Sequence, residues 1–172
     1  MSAATSTVYI SGSGSGIYRA SFDSETGKLG KPEVAAKFGA GSWITPHPSE
    51  PILYTSLREP GKQGIASWQV RVDGNLSLQS EVLLDVGAAT HIAVNAEGTL
   101  LATAHYGGAA SALVALGPDG SLREPALVTR HELDAPGPRP QQGKAHPHFV
   151  TFTGDGQFIH VVDLGADRIW TY

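Results

Sequence analysis

Short apolar runs recur along the chain and are separated by turns that contain Gly. The runs His91–Val94 and Leu100–Ala104 form one pair, joined by a Gly-containing turn. From Ile65 to Val72 apolar and polar residues alternate, and Asp73-Gly74 then leads into the run Leu78–Leu84. Alternation with a period of two is typical of a β-strand, and Asp-Gly between two such runs is typical of a tight hairpin. The pattern therefore predicts short antiparallel strands, and no segment has the period of a helix.

This strand pattern repeats along the chain. Leu101 matches Leu53 at a spacing of 48, and Ile159 matches Leu101 at a spacing of 58, the longer step reflecting a Pro- and Gly-rich stretch. A second marker, a Gly turn followed two residues later by Leu, falls at Gly27, Gly74 and Gly120. Four short strands per repeat of this length are the signature of a β-propeller blade. Regularly spaced short strands also fit a β-sandwich, but a sandwich does not repeat so regularly.

The predicted architecture is all-β: a β-propeller of four-stranded antiparallel blades, of which this chain holds about three and a half. Residues 1–40 form blade 1 without its innermost strand, residues 41–86 blade 2, and residues 87–135 blade 3. Residues 136–172 form a loop and an incomplete blade 4. Since a closed ring normally needs at least four blades, we expect one propeller domain that is truncated. A ring made of two copies of the chain is the alternative.

Composition narrows the functional classes. The net charge of −4 provides no basic surface of the kind that binds nucleic acid. The absence of Cys excludes disulfides, thiolate metal sites and Cys nucleophiles. We expect neither a signal peptide nor a membrane span, because residues 1–7 lack a basic region and an apolar core and no apolar run approaches membrane length. The stretch Gly12–Gly16 lacks phosphate-loop spacing and is expected to be a hairpin connection. These features favour a cytoplasmic protein.

Candidate chemistry centres on His146-Pro147-His148, where an irregular loop becomes the innermost strand of blade 4. In an extended chain residues i and i+2 point to the same side, so both imidazoles are expected to face the central channel. A neutral imidazole can act as a general base near physiological pH. The same pair could instead be two metal ligands, completed by Asp163 or His105. No carboxylate cluster supports that alternative, and we expect neither a metal nor a cofactor.

Four further polar residues are candidates for contacts with a substrate. His105 and Asp163 take the same position in consecutive repeats, at the end of the second strand, which predicts that both lie near one mouth of the channel. Their alternative role is to cap the Gly-rich turn that follows. Arg139 and Lys144 flank the His pair in an otherwise acidic chain and could hold an anionic substrate. Solvated loop charges explain these two cations equally well.

Four motifs after residue 89 carry a family resemblance. They are His91-Ile-Ala-Val-Asn-Ala-Glu-Gly98, Ala104-His-Tyr-Gly-Gly108, Gln142-Gly-Lys-Ala-His-Pro-His148 and Val162-Asp-Leu-Gly-Ala-Asp-Arg168. In these motifs the chain resembles the lactonase β-propeller family of bacterial 6-phosphogluconolactonases and fungal carboxymuconate cyclases. The resemblance implies a seven-bladed ring of roughly twice this length, of which this chain is the N-terminal half. Two departures are His105, where the family usually has Asn, and Gln141-Gln142, where it usually has Arg-Gln.

The resemblance also implies an activity, the hydrolysis of a small anionic lactone without a cofactor. Its best match is 6-phospho-D-glucono-1,5-lactone, which would yield 6-phosphogluconate, with His148 as the base that activates water and His146 as a substrate contact or orienting group. The substrate-binding residues expected beside them are Arg139, Gln142, Lys144, His105 and Asp163. An enzyme that forms or opens a carboxylated muconolactone is one alternative. A non-catalytic propeller that binds a ligand or a protein is the other.

Overall fold

A computed structural model describes residues 5–12 and 16–172. The beginning of the chain at residues 1–4, where no leader is expected, lies outside the described residues, as do residues 13–15 of the expected hairpin connection. Within the described part of the chain, no helix is long and apolar enough to cross a membrane.

The described residues form four antiparallel sheets, which we call blades 1 to 4 in chain order. Blade 1 contains β1 (Thr5–Ile10), β2 (Gly16–Asp23), β3 (Lys28–Leu29) and β4 (Glu33–Lys37). Blade 2 contains β5 (Ala40–Pro46), β6 (Ile52–Glu59), β7 (Lys62–Val70) and β8 (Leu76–Leu83). Blade 3 contains β9 (His91–Val94), β10 (Leu100–His105), β11 (Ala110–Ala115) and β12 (Leu127–Arg130). Blade 4 contains β13 (Pro147–Phe152), β14 (Ile159–Asp163) and β15 (Arg168–Thr171).

The predicted all-β class with four-stranded antiparallel sheets is confirmed. In blades 2 and 3 the four strands pair in chain order. In blade 1 the strands β3 and β4 both pair with β2 and together form an interrupted outer strand, and blade 4 has three strands. Among the described residues, the helical structure is one 3-10 turn at Pro140–Gln142. Short strands and Gly turns therefore account for almost all of the regular structure.

The first strands of blades 2, 3 and 4 lie side by side, since β9 contacts both β5 and β13. Each contributes one aromatic ring at the same repeat position: Trp43, His91 and Phe149. The His91 ring centroid lies 4.1 Å from the centroid of each of the other two rings. Burial, with a smaller effect from the charge of His148, lowers the pKa of His91 to about 4. The row therefore joins the inner edges of three blades around an uncharged imidazole.

Neighbouring blades pack face to face, and each interface has its own apolar core. The core between blades 2 and 3 includes Tyr54, Ile65, Leu101 and Val114. The core between blades 3 and 4 includes Ala102, Ala104, Val150 and Val161. Because a sheet in the middle of the stack is covered on both faces, β6 and β10 are buried at successive positions and not at alternate ones. This double burial explains why neither strand shows the alternation of apolar and polar residues that is typical of a half-buried strand.

Blade 4 has an apolar face that no described residue covers. The cross-strand neighbours Phe149, Val162 and Ile169 form a row and are 43%, 39% and 62% exposed. The corresponding row of blade 3, made of His91, Ala104 and Ser111, is buried. The same repeat positions therefore form a packing face in blade 3 and an open apolar face in blade 4.

The Gly turns predicted as repeat markers connect each blade to the blade before it. The Tyr9 hydroxyl donates a 2.9 Å hydrogen bond to the Gly74 carbonyl, and the Tyr54 hydroxyl donates a 2.8 Å bond to the Gly120 carbonyl. Both glycines have positive φ, +77° and +69°, and a Cβ on Gly120 would meet Ile52 Cδ1. Gly is required at these turns both for the backbone conformation and for the close approach.

Several strand ends differ from the sequence prediction by one to three residues, and the end of β7 is one of them. The third strand of blade 2 was expected to reach Val72, but β7 ends at Val70 and the Val72 side chain is fully exposed. The turn starts earlier because the Arg71 amide bonds the Asn75 carbonyl and the Gly74 amide bonds the Arg71 carbonyl. The alternation of apolar residues at 68, 70 and 72 thus continues past the point where the backbone leaves the sheet.

Replacing Tyr54 by Phe is expected to lower the free energy of unfolding by about 1–3 kcal/mol, because the Gly120 carbonyl loses a buried donor while the ring stays in place. Urea denaturation near neutral pH measures the change. Tyr18→Phe is the matched control, since Tyr18 is half-buried and its hydroxyl has no partner among the described residues. Equal stability of Tyr54→Phe and the wild type would show that this blade-to-blade bond adds nothing.

Candidate active-site cleft

A cleft of about 790 Å³ lies where the second strands of blades 2, 3 and 4 end. The larger polar and aromatic side chains that line it are Arg58, Gln63, Asp85, Thr90, Tyr106, Gln141 and His148. The repeat explains how these residues meet. Arg58, Tyr106 and Leu164 are spaced by 48 and 58 residues and hold the same repeat position. Arg58 is the second-last residue of β6, and the other two directly follow β10 and β14. The propeller arrangement therefore brings equivalent positions of three blades to one cleft.

His148 is the catalytic candidate that the structure places in this cleft. It is exposed and lies at an irregularity of β13, where the pairing with β14 shifts register between Pro147 and Phe149. Such bulges redirect a side chain. The His148 ring meets the Tyr106 ring at an interplanar angle of 86°, with the centroids 5.7 Å apart. The imidazole is thus open to a ligand and supported by an aromatic wall.

His146 contacts the same tyrosine but does not line the cleft. Its ring stacks on Tyr106 with the centroids 4.0 Å apart and an interplanar angle of 15°, and its Nδ1 lies 2.9 Å from the Tyr106 carbonyl oxygen. With a carbonyl as partner, Nδ1 must carry the proton. Of the two imidazoles expected to face the channel, only that of His148 lines the cleft, since β13 begins at Pro147 and His146 belongs to the preceding loop.

Asp163 is buried behind the cleft and holds the loop that carries His146. One carboxylate oxygen accepts hydrogen bonds from the backbone amides of His146 (2.7 Å) and Ala166 (2.9 Å). The other accepts a 3.1 Å bond from the Trp170 indole. The carboxylate thus has the turn-capping geometry that was the alternative for this residue. Both oxygens are used inside the protein, so the carboxylate supports the site from behind.

His105 has the equivalent place in blade 3 and also faces inward. It is completely buried, with Nδ1 2.9 Å from the Gly87 carbonyl oxygen and Nε2 2.8 Å from the Thr103 hydroxyl. Burial lowers its pKa to about 4, against the smaller opposing effect of its bonds to the backbone. His105 is therefore neutral near pH 7 and holds Gly87, a residue of the cleft wall, in place. Within the described residues, no group of three His, Asp or Glu side chains is arranged to hold a metal ion.

The three remaining candidates lie beside the cleft and not in it. Gln142 is buried, and its side-chain oxygen accepts a 3.2 Å bond from the Arg139 amide, while its neighbour Gln141 lines the cleft. The Arg139 side chain is exposed outside the cleft lining. Lys144 donates a 3.0 Å bond to the carbonyl of Gly107, a lining residue, and so stands at the rim. The 3-10 turn decides this arrangement, because it points adjacent glutamines in different directions.

Two residues of the cleft lining, Arg58 and Asp85, were not among the candidates predicted from the sequence. Asp85 forms a 2.9 Å ion pair with Arg130. Arg58 could have been found from the repeat, since it stands 48 residues before Tyr106 of the Ala104–Gly108 motif. No comparable signal marks Asp85, whose position depends on the connection between blades 2 and 3.

The sequence and the structure of this chain are similar to those of known proteins. A family model described as "Lactonase, 7-bladed beta-propeller" matches residues 3–172. The 6-phosphogluconolactonase of Bacillus subtilis is 30% identical over 165 residues, which are 95% of this chain and 47% of that protein. A Bacteroides uniformis protein of known structure matches with a TM-score of 0.84 and 26% identity, over 97% of this chain and 49% of the other.

The fold is also that of the periplasmic gluconolactonase PpgL of Pseudomonas aeruginosa. That structure matches with a TM-score of 0.82 and 24% identity, over 98% of this chain and 49% of the other. The chain therefore spans about half the length of the relatives that it matches.

Replacing Asp163 by Ala is expected to lower the free energy of unfolding by about 3 kcal/mol, because three N–H donors lose a charged acceptor. Urea denaturation measures the loss of unfolding free energy, and the Trp170 indole N–H resonance in a proton–nitrogen correlation spectrum should shift. Asp134→Ala is the control, since Asp134 is exposed. Equal stability of the Asp163 and Asp134 variants would contradict the supporting role.

The free energy of unfolding is also expected to fall as the pH drops from about 6.5 towards 4. The pKa values of His105 and His91 are about 4 in the folded protein, against about 6.5 in an unfolded chain. The unfolded state therefore takes up protons first, and each histidine removes about 2 kcal/mol of stability by about pH 5. Urea denaturation across this range measures the slope. The decrease of unfolding free energy with pH should be shallower for His105→Gln than for the control His160→Gln. Equal slopes in the two variants would be evidence against a lowered pKa of His105.

Proposed function

Because the chain belongs to the lactonase family of seven-bladed β-propellers, we propose that the whole protein hydrolyses a sugar lactone. The observation that carries this proposal is the open imidazole of His148 in a cleft with aromatic, hydroxyl and cationic walls. The Bacillus subtilis relative, which is 30% identical, is named a 6-phosphogluconolactonase. We therefore take 6-phospho-D-glucono-1,5-lactone as the substrate. A cytoplasmic location belongs to the same proposal, since a charged phosphate ester does not cross a membrane unaided.

In this mechanism His148 acts as the general base. Its unprotonated nitrogen takes a proton from water while the water oxygen bonds to the lactone carbonyl carbon. The bond between that carbon and the ring oxygen then breaks, and the imidazolium returns the proton to the ring oxygen, which becomes a hydroxyl group. The carboxylic acid that forms ionises at neutral pH, so each turnover releases one proton to the medium. The chemistry requires no cofactor.

The negative charge that develops on the carbonyl oxygen needs hydrogen-bond donors. Thr90 is placed for this role, because it lines the cleft and its oxygen accepts a 3.2 Å bond from the Tyr106 amide. That bond leaves the hydroxyl proton of Thr90 free to be donated. We assign the developing oxyanion to this hydroxyl and the ring of the substrate to the space beside Tyr106 and His148.

The other predicted site residues are proposed to support the site without contacting the substrate. His146 and Asp163 hold the loop before His148 through the contacts described above, and His105 holds the Gly87 wall. Gln142 stabilises the 3-10 turn that presents Gln141. Lys144 and Arg139 add positive charge near the rim, where they attract an anionic substrate without binding it in the cleft.

Replacing His148 by Gln in the whole protein is expected to reduce kcat on 6-phosphogluconolactone by about 10²–10⁴-fold, because no base remains to activate water. The rate is followed as acid release at constant pH, with spontaneous lactone hydrolysis subtracted. His160→Gln is the matched control, since His160 lies on the same blade and does not line the cleft. If His148→Gln kept the wild-type rate while folding normally, His148 would not be the base. If the wild type itself did not exceed spontaneous hydrolysis, a binding propeller would be favoured.

A further inference from the structure

Arg58 stands apart from the other residues of the cleft. It lies near the end of β6 and is exposed, and it is the cation among the described residues that line the cleft. The cations predicted from the sequence to hold an anionic substrate, Arg139 and Lys144, lie near the His pair. Arg58 comes instead from blade 2, with Tyr106 of blade 3 between it and His148 of blade 4 in the order of the blades.

No carboxylate among the described residues neutralises Arg58. Asp85, the carboxylate that lines the cleft, is paired with Arg130 at 2.9 Å. Glu59 is adjacent in sequence, but successive residues of a strand point to opposite faces. Its carboxylate accepts a 3.1 Å bond from the Gly39 amide. In a chain with a net charge of −4, the cleft thus keeps an uncompensated positive charge.

The backbone holds Arg58 firmly although its side chain is free. The Arg58 amide donates a 2.8 Å bond to the Gly39 carbonyl, and a Cβ on Gly39 would lie 2.6 Å from the Arg58 carbonyl oxygen. Across the hairpin Arg58 pairs with Gln63, whose amide side chain also lines the cleft. A guanidinium beside a carboxamide offers several N–H donors in one direction. That donor set matches the oxygens of a phosphate or carboxylate.

The repeat also separates the charged end of the cleft from the reactive end. At the position shared by the three blades, blade 2 carries the guanidinium of Arg58, blade 3 the ring of Tyr106 and blade 4 the apolar Leu164. The ring of Tyr106 contacts His148, so the reacting lactone lies on the side of blades 3 and 4. A charged substituent at the far end of the substrate then reaches towards blade 2.

On this basis, and resting on the proposed function, we propose that Arg58 binds the phosphate of the lactone and makes the enzyme prefer phosphorylated over uncharged lactones. Gln63 supports it with a second donor group. Arg58 is thus a specificity-determining residue on a blade different from that of the catalytic base. Lys144 differs from it because its ammonium is already bonded to the Gly107 carbonyl.

The test compares two substrates in the whole protein, 6-phosphogluconolactone and uncharged glucono-1,5-lactone. Arg58→Gln is expected to lower the ratio of their kcat/KM values by about 10–100-fold, mainly through a higher KM for the phosphorylated substrate. Arg58→Lys should recover part of the ratio, because it keeps the charge but loses the fork of donors. Arg71→Gln is the matched control, since Arg71 is an exposed arginine of the β7–β8 turn outside the cleft. An unchanged ratio in Arg58→Gln would overturn the proposal.

Binding of the product 6-phosphogluconate, measured by calorimetry, separates this proposal from the proposed function. If the wild type binds the product and Arg58→Gln binds it at least tenfold more weakly, the anion site stands even if no lactone is turned over. If the wild type hydrolyses lactone while Arg58→Gln matches it in binding and in substrate ratio, the lactonase proposal stands and the role of Arg58 is wrong. Absence of both turnover and product binding in the wild type would overturn both proposals.

Discussion

Face-to-face packing between neighbouring sheets is the constraint on which the rest of this structure depends. A blade in the stack has two faces to bury, so its middle strands are buried at successive positions, as in Leu101–His105 of β10. Packing both faces also fixes the rotation from one blade to the next, since the interdigitated side chains leave few voids. The buried bond between Tyr54 and Gly120 adds a directional contact to this packing. Where an apolar face stays uncovered, as on blade 4, the same rule identifies it as a packing surface.

The cleft follows from that packing. Once the blades are stacked, the ends of their second strands meet at one place, and Arg58, Tyr106 and Leu164 come together although they are far apart in sequence. Buried polar side chains then hold the loops at the rim. His105 and Asp163 sit at equivalent positions in two blades and bond the loops that enter the innermost strands. Residues that line the cleft and residues that hold its loops thus come from different positions of the same repeat.

The site could be predicted in outline but not residue by residue. His148 was found because it stands where a loop becomes a strand, and the structure places it in the cleft. His146 was grouped with it by the i, i+2 rule, which applies only inside a strand, and β13 starts one residue too late. Gln142 was chosen over Gln141, because the rotation of a 3-10 turn is not visible in a sequence. Arg58 was not predicted because it belongs to no local motif, and only the repeat position that it shares with Tyr106 marks it.

The strand pattern, the repeat and the all-β propeller class could be read from the amino-acid sequence, because periodicity and Gly turns are properties of neighbouring residues. The sequence also determined which positions are equivalent between blades, including the pair His105 and Asp163. Which side chains face solvent in the cleft and which turn inward to a backbone group depends on the packing of the blades. The physical reason is that orientation at a loop depends on partners from other blades, as the Gly87 carbonyl shows for His105. Such partners lie many residues away, and packing alone brings them into contact.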